Sequence, residues 1–293
     1  ADCSVAMANG SSAARNVAHL VLLDSNFASM PLAVQEGRRC INNVQRSSAL
    51  YLMKTIFTVV FTIIVLLTFL NGGNGIAYPF SSNNLLIMES VCIGLTSIFL
   101  ALQKNDQPIS GHFLKNTFLR AVPAGICLIV AISINYILRY SGNFLELSGI
   151  TEIDDQAFTT FNSITMTIIS LAMAYICFMP LTPIRKHWYR AMMFSTTFVL
   201  TMFAIFVLPF IPTFTGGGNL SSTFIGIDFR EMNKIMWMTI IIYAASSTTA
   251  LMALMNFFKS ISERNEEAKK KAILDSESKE KAENSTDDTP IAK

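Results

Sequence analysis

The sequence predicts a mainly α membrane protein, a six-helix transmembrane bundle preceded by an incomplete α/β segment. The chain is 52% hydrophobic and only 14% charged, whereas a soluble domain carries about 25% charged residues. Most of those charges fall in the first 50 and the last 35 residues, so the middle is a series of long apolar runs. Residues 1–28 follow a different pattern, two short apolar runs around a polar, helix-like stretch. A net charge of +2 suggests neither nucleic acid nor an acidic partner. The five cysteines (Cys3, Cys40, Cys92, Cys127, Cys177) are scattered without a CxxC pair. They read as small buried residues, not as a disulfide framework or a zinc site.

Within residues 1–28, CSVAMA reads as a strand, SSAARNVAH as a helix after Gly10, and LVLLD as a second, buried strand of a parallel sheet. Two strands and one helix bury too little to fold alone, so the expectation is the end of a domain whose remainder lies upstream. The chain opens without Met and without a charged region ahead of an apolar stretch. It therefore reads as a piece of a longer protein, not as a secreted precursor.

Residues 29–48 read as a stalk helix. Ser29 is a plausible N-cap, Pro31 is tolerated in the first turn, and the apolar spacing runs on into the first span. Unbroken from 30 to 70, such a helix would be about 60 Å long and would couple a cytoplasmic domain mechanically to the membrane. Gly37 is its one weak point.

Residues 49–258 hold six stretches of about 20 mostly apolar residues, the length a membrane-crossing helix needs: 49–70, 82–103, 118–139, 159–181, 190–211 and 233–258. Lys and Arg mark the cytoplasmic connections. Arg38, Arg39 and Arg46 precede the first span, Lys104, Lys115 and Arg120 lie between the second and third, and Arg185, Lys186 and Arg190 lie between the fourth and fifth. The alternate connections are uncharged (NGGNGIAYPFSSNN), acidic (Glu146, Glu152, Asp154, Asp155) or Gly-rich with Asp228, and read as external. The expectation is a multi-pass protein of the cell membrane with both termini cytoplasmic. Residues 259–293 form a charged cytoplasmic tail, read as a short helix running into disorder.

The run ADCSVAMANGSSAARNVAHLVLLDSNFASMPLAVQEGRRCINN resembles the end of the phosphorylation domain of P-type cation pumps. There a similar AD-x-G-I-A-M-G…A…A-x-x-VL-x-DDNF…EGR-x-x-x-NN sequence leads into the fifth transmembrane helix. The six spans agree with the fifth to tenth helices of the calcium and sodium/potassium classes; heavy-metal pumps have only two helices after this domain. The resemblance implies a HAD-like head and ATP-driven cation transport through a phospho-aspartate, with ATP and Mg2+ as cofactors. The motifs that carry that chemistry (DKTGT, TGDGVND, TGE) and the nucleotide-binding domain belong to the N-terminal remainder of such a pump, so no catalytic residue is expected in this chain. Partners implied are the transported cation, the lipid bilayer and that remainder.

Charges at bilayer depth cost about 2.5–3.5 kcal/mol on insertion scales and usually face a polar interior or pathway. Lys54 and Glu89 are the main ones here. Setting LLIMESVCIGLTS against LLWVNLVTDGLPA of the calcium pumps puts Glu89 at an asparagine ligand, Cys92 at a threonine and Ile93 at an aspartate. Aligning the two NN pairs puts Thr55 at the asparagine and Thr58 at the glutamate of the fifth helix. The resemblance thus implies an ion pathway of Glu89, Lys54, Thr55, Thr58 and Cys92, with Glu89 as the metal ligand and two of the family's carboxylates missing. Calcium prefers six to eight oxygens, so a two-calcium site is not expected. Calcium is the common cargo of the most similar class and one ion per cycle would suit the thin ligand set; potassium, proton and magnesium stay open.

The gastric proton/potassium pumps carry a lysine and a paired glutamate at the positions of Lys54 and Glu89, which implies an intramembrane ion pair. The rival account has Lys54 snorkelling to the headgroups. Asn135, Asn162 and the 246–249 SSTT run read as helix–helix contacts. Two other classes of function compete with a pump: a secondary transporter or channel-like six-helix protein, and a membrane scaffold. The former would need internal repeats or matching broken helices, and the two triplets of spans show no such symmetry.

Overall fold

The computed structural model describes residues 3–70, 78–80, 83–105, 107–109, 112–141, 153–181, 184–207, 226–229 and 232–286, with backbone alone for 184–186 and 269–286. The expected external connections at 71–77, 142–152 and 208–225 lie outside the described residues.

Strands β1 (Val5–Met7) and β2 (Leu20–Leu22) pair in parallel, Val5 opposite Leu20, around helix α1 (Ser12–Val17). Ser11 caps α1, its hydroxyl accepting from Ala14 N–H at 3.1 Å. The second strand is less buried than expected: Leu22 is buried, but Leu20 is 46% exposed. One six-residue helix covers little of a two-stranded sheet. Past β2, Asp24 accepts from the Ser29 hydroxyl and from Asn26 N–H, which holds its carboxyl below the usual range.

Helix α2 (Met30–Leu70) is one continuous helix of 41 residues, about 60 Å long. It runs through Gly37 without a break. Leu50, Met53, Phe57 and Phe61 recur at helical spacing and are buried along one face. A π-helical segment (Met88–Leu95) continued by α3 (Thr96–Leu102) makes the second span. Then follow α4 (Phe113–Tyr140), α5 (Asp155–Phe178), α6 (Ile184–Phe206) and α7 (Lys234–Thr286). The six helices are long and apolar enough to cross a membrane.

α5 is the most buried of the six spans and touches α4, α6, α7 and the π-helical segment. Asp154 caps it, accepting from Gln156 and Ala157 N–H at 2.9 and 3.3 Å. α2 lies against α4, and Gly125 sets their separation: a Cβ there would fall 2.8 Å from Ile56 Cγ2. At the opposite end of the chain's apolar region, Gly226 has φ +67°, and a Cβ on it would meet Asn84 Oδ1 at 2.5 Å. Asn84 Nδ2 donates to Gly226 O at 3.2 Å, tying residues 226–229 to the start of the second span.

The charged tail is more helical than expected. α7 continues to Thr286, because its Glu-, Lys- and Ala-rich sequence has high helix propensity and pairs such as Lys259–Glu263 at i, i+4.

Candidate ion pathway

Lys54 follows the buried Met53 on α2, and Glu89 is the second residue of the π-helical segment. The Lys54 ammonium donates to Glu89 Oε1, so the two charges singled out by sequence meet across two helices. The side chains remain 31% and 44% exposed, so the pair lines an open flank of the bundle.

A π-helical turn widens the helix and shifts its side chains relative to an α-helix, and such turns concentrate at functional sites. Here it divides the segment into two faces. Glu89 and Ser90 are exposed, whereas Met88, Cys92, Ile93 and Thr96 are buried. Cys92 therefore does not join the ion pair. Its Sγ lies 3.7 Å from Thr201 Oγ1 and 3.9 Å from Thr167 O, toward α6 and α5. Thr58 follows Lys54 by one turn and is half-buried, which places it on the lysine's face. Thr55 is exposed, and its hydroxyl donates to Tyr51 O at 3.1 Å on its own helix. Among the described residues no three His, Cys, Asp or Glu side chains gather into a metal-binding group.

A second polar cluster lies deep in the bundle, and its connectivity is not apparent from sequence. Asn135 of α4 donates to Asn162 Oδ1 at 2.9 Å and to Thr165 Oγ1 at 3.3 Å on α5, while Tyr243 of α7 donates to Asn135 Oδ1 at 3.0 Å. Asn135 and Asn162 are fully buried. The signal was present as two asparagines and a tyrosine inside apolar runs, but nothing in spacing along separate helices says which of them meet. In the last span, Ser246 returns its hydroxyl to Ile242 O at 2.7 Å, as an intrahelical contact.

The N-terminal part of α2 is tied to the chain after α3. Arg39 Nε and Asn43 Nδ2 donate to Gln103 O at 3.2 and 2.7 Å, and Asn42 Nδ2 donates to Gln107 O at 2.9 Å. The GRRCINN stretch thus holds the Gln103 and Gln107 carbonyls, just past the end of α3.

No family model matches this chain. It is similar to calcium-transporting ATPase CtpE of Mycolicibacterium smegmatis, 31% identical over 71% of this chain and 25% of that protein. Probable cation-transporting ATPase exp7 of Streptococcus pneumoniae is 31% identical over 45% of this chain and 17% of its own length. Potassium-transporting ATPase alpha chain 2 of Oryctolagus cuniculus is 35% identical over 37% of this chain and 10% of its own. The matched region thus spans 25% or less of each of these relatives.

Proposed function

The chain belongs to the P-type cation-transporting ATPases as the C-terminal region of one, and from that premise we propose that it forms part of the cation path of an ATP-driven pump. The observation that supports this reading most is the Lys54–Glu89 pair on a π-helical turn, at the flank where α2 and the second span meet. In this reading Glu89 is the cation-binding carboxylate, with Thr58 and Thr55 as neutral oxygens beside it, and the Lys54 ammonium is a tethered cation that occupies one would-be site. The ammonium neutralises Glu89 when the path is empty and must be displaced, or must displace an ion, in each cycle. The number of ions carried is lower for it. Calcium is the first candidate, since CtpE is named for calcium transport.

Residues 1–28 are proposed to be the end of a HAD-like phosphorylation domain that packs on the pump's N-terminal remainder, with both termini cytoplasmic. α2 would carry that domain's movement into the membrane as a rod, through the bonds of Arg39, Asn42 and Asn43 to Gln103 and Gln107. ATP and Mg2+ do not fit the residues present. The sequence holds neither DKTGT nor TGDGVND, and among the described residues no three His, Cys, Asp or Glu side chains gather. Both cofactors would be bound by other parts of the pump.

The test is cation-stimulated ATPase activity of the full-length pump against calcium, potassium, magnesium and proton. Glu89→Gln is expected to weaken the apparent affinity for the transported cation about tenfold, the loss of one charged interaction. Lys54→Ala is expected to change the number of ions moved per ATP. Unchanged affinity in the first variant together with unchanged stoichiometry in the second would overturn the assignment.

A further inference from the structure

At one end of the bundle α2, α4, α5 and α7 enclose a cavity of about 520 Å3, within the size range of small-ligand sites. Each helix brings its polar-to-apolar junction to it: Arg46 stands just before the apolar run of α2, Arg120 near the start of that of α4, Cys177 at the end of α5, and Lys259 where the apolar part of α7 stops. The cavity thus sits where an acyl region would give way to headgroups.

Its charge is one-sided. Arg46, Arg120 and Lys259 line it, and none of its lining residues is acidic. Arg120 and Arg190 are near enough to repel the Arg46 charge. Arg46 is anchored to neutral acceptors, Cys177 O at 3.3 Å and Gln103 Oε1 at 3.4 Å. Arg120 has no hydrogen-bond or ion-pair partner among the described residues. Lys259 has a loose, exposed pairing with Glu263 at 3.8 Å on its own helix. Cations crowded together at the edge of a low-dielectric bundle leave an electrostatic demand for an anion. Ile176 and Met255, both partly exposed, supply an apolar wall beside them.

We propose that this cavity binds the phosphate headgroup of an anionic phospholipid, with Arg120 and Lys259 on the phosphate and the first acyl carbons against Ile176 and Met255. Free phosphate shares the charge but makes no use of the apolar wall. The site rests on the bilayer placement of the six helices and not on cation transport, so binding and not ATPase activity is the readout.

The experiment is native mass spectrometry of the purified protein in detergent micelles titrated separately with phosphatidylglycerol, phosphatidylcholine and inorganic phosphate. The expected result is preferential retention of phosphatidylglycerol. Neutralisation should weaken it about fivefold for Arg120→Gln or for Lys259→Gln, and about 25-fold for the double variant, on the scale of one juxtamembrane cation each. Arg139→Gln, whose cation pairs with Asp155 at the other end of α4, should leave it unchanged. Lys259→Gln alone keeps the test valid if Arg120→Gln misfolds, because Lys259 is exposed and its loss creates no cavity. Equal retention of the two lipids, an unaffected double variant, or phosphate binding as tight as phosphatidylglycerol would overturn the proposal.

Discussion

Two polar centres among the described residues of the bundle are of opposite design. Asn135, Asn162, Thr165 and Tyr243 form a neutral network enclosed by α4, α5 and α7, with both asparagines fully buried. Lys54 and Glu89 form a charged pair on an open flank, 31% and 44% exposed. Buried polar groups must find their partners inside, and here the Asn135 amide and the Asn162 carbonyl do so, while Asn162 Nδ2 has no hydrogen-bond partner among the described residues. A full charge pair in the same enclosure would carry a desolvation cost that its mutual attraction does not reliably offset. The division of labour follows: the enclosed network fixes three helices to one another, and the open pair keeps charges where a third group can reach them.

That division predicts an order of sensitivities in thermal unfolding. Gly125→Val should be the most damaging, by about 2–3 kcal/mol, because overpacking a close helix crossing forces the backbones apart. Its new Cβ would fall 2.8 Å from Ile56 Cγ2 and 3.1 Å from Ile56 Cβ, atoms of a β-branched side chain with little freedom to turn aside. Because α2 bears Lys54, the same variant should also weaken the ion pair. Asn135→Leu should follow at about 2 kcal/mol, since it strands the Asn162 carbonyl in an apolar interior. Tyr243→Phe should cost only about 1 kcal/mol, near the upper part of the range for interhelical hydrogen bonds in membranes. A ranking with Tyr243→Phe above Asn135→Leu would mean that α7, not Asn135, organises the network.

Much of this comparison was legible in the sequence, and the part that was not has a physical reason. Apolar runs of span length and the βαβ pattern of the head follow from composition and period, which are local properties, and the described residues hold six such helices and a parallel β1–β2 pair. Lys54 and Glu89 stood out because charge is rare in an apolar run. The π-helical turn did not, since MESVCIGL carries the same apolar content whether wound as α or π. Its consequence was that Cys92, grouped with Glu89 by alignment, points to Thr167 and Thr201 instead. The Asn135–Asn162–Tyr243 connections depend on how three helices rotate about their axes, which spacing within one helix does not determine. The tail is helical to Thr286 although its polar, charge-mixed sequence signals solvation, because its Glu, Lys and Ala content independently favours helix.

The smallest stability effect should come from the most conspicuous residue. If the flank holding Lys54 is lined by water, Lys54→Ala releases a carboxylate that solvent can receive, and the loss should be under about 1 kcal/mol, as for other accessible ion pairs. If the flank faces lipid, the same substitution strands Glu89 in a low-dielectric medium and the loss rises to about 3–5 kcal/mol. Unfolding of Lys54→Ala beside Asn135→Leu in the same nanodiscs separates the two cases. A small loss with altered cation stoichiometry is the outcome expected of an open, exchangeable charge pair. A loss exceeding that of Asn135→Leu would show Lys54 to be a structural counter-ion and would erase the distinction between the two centres.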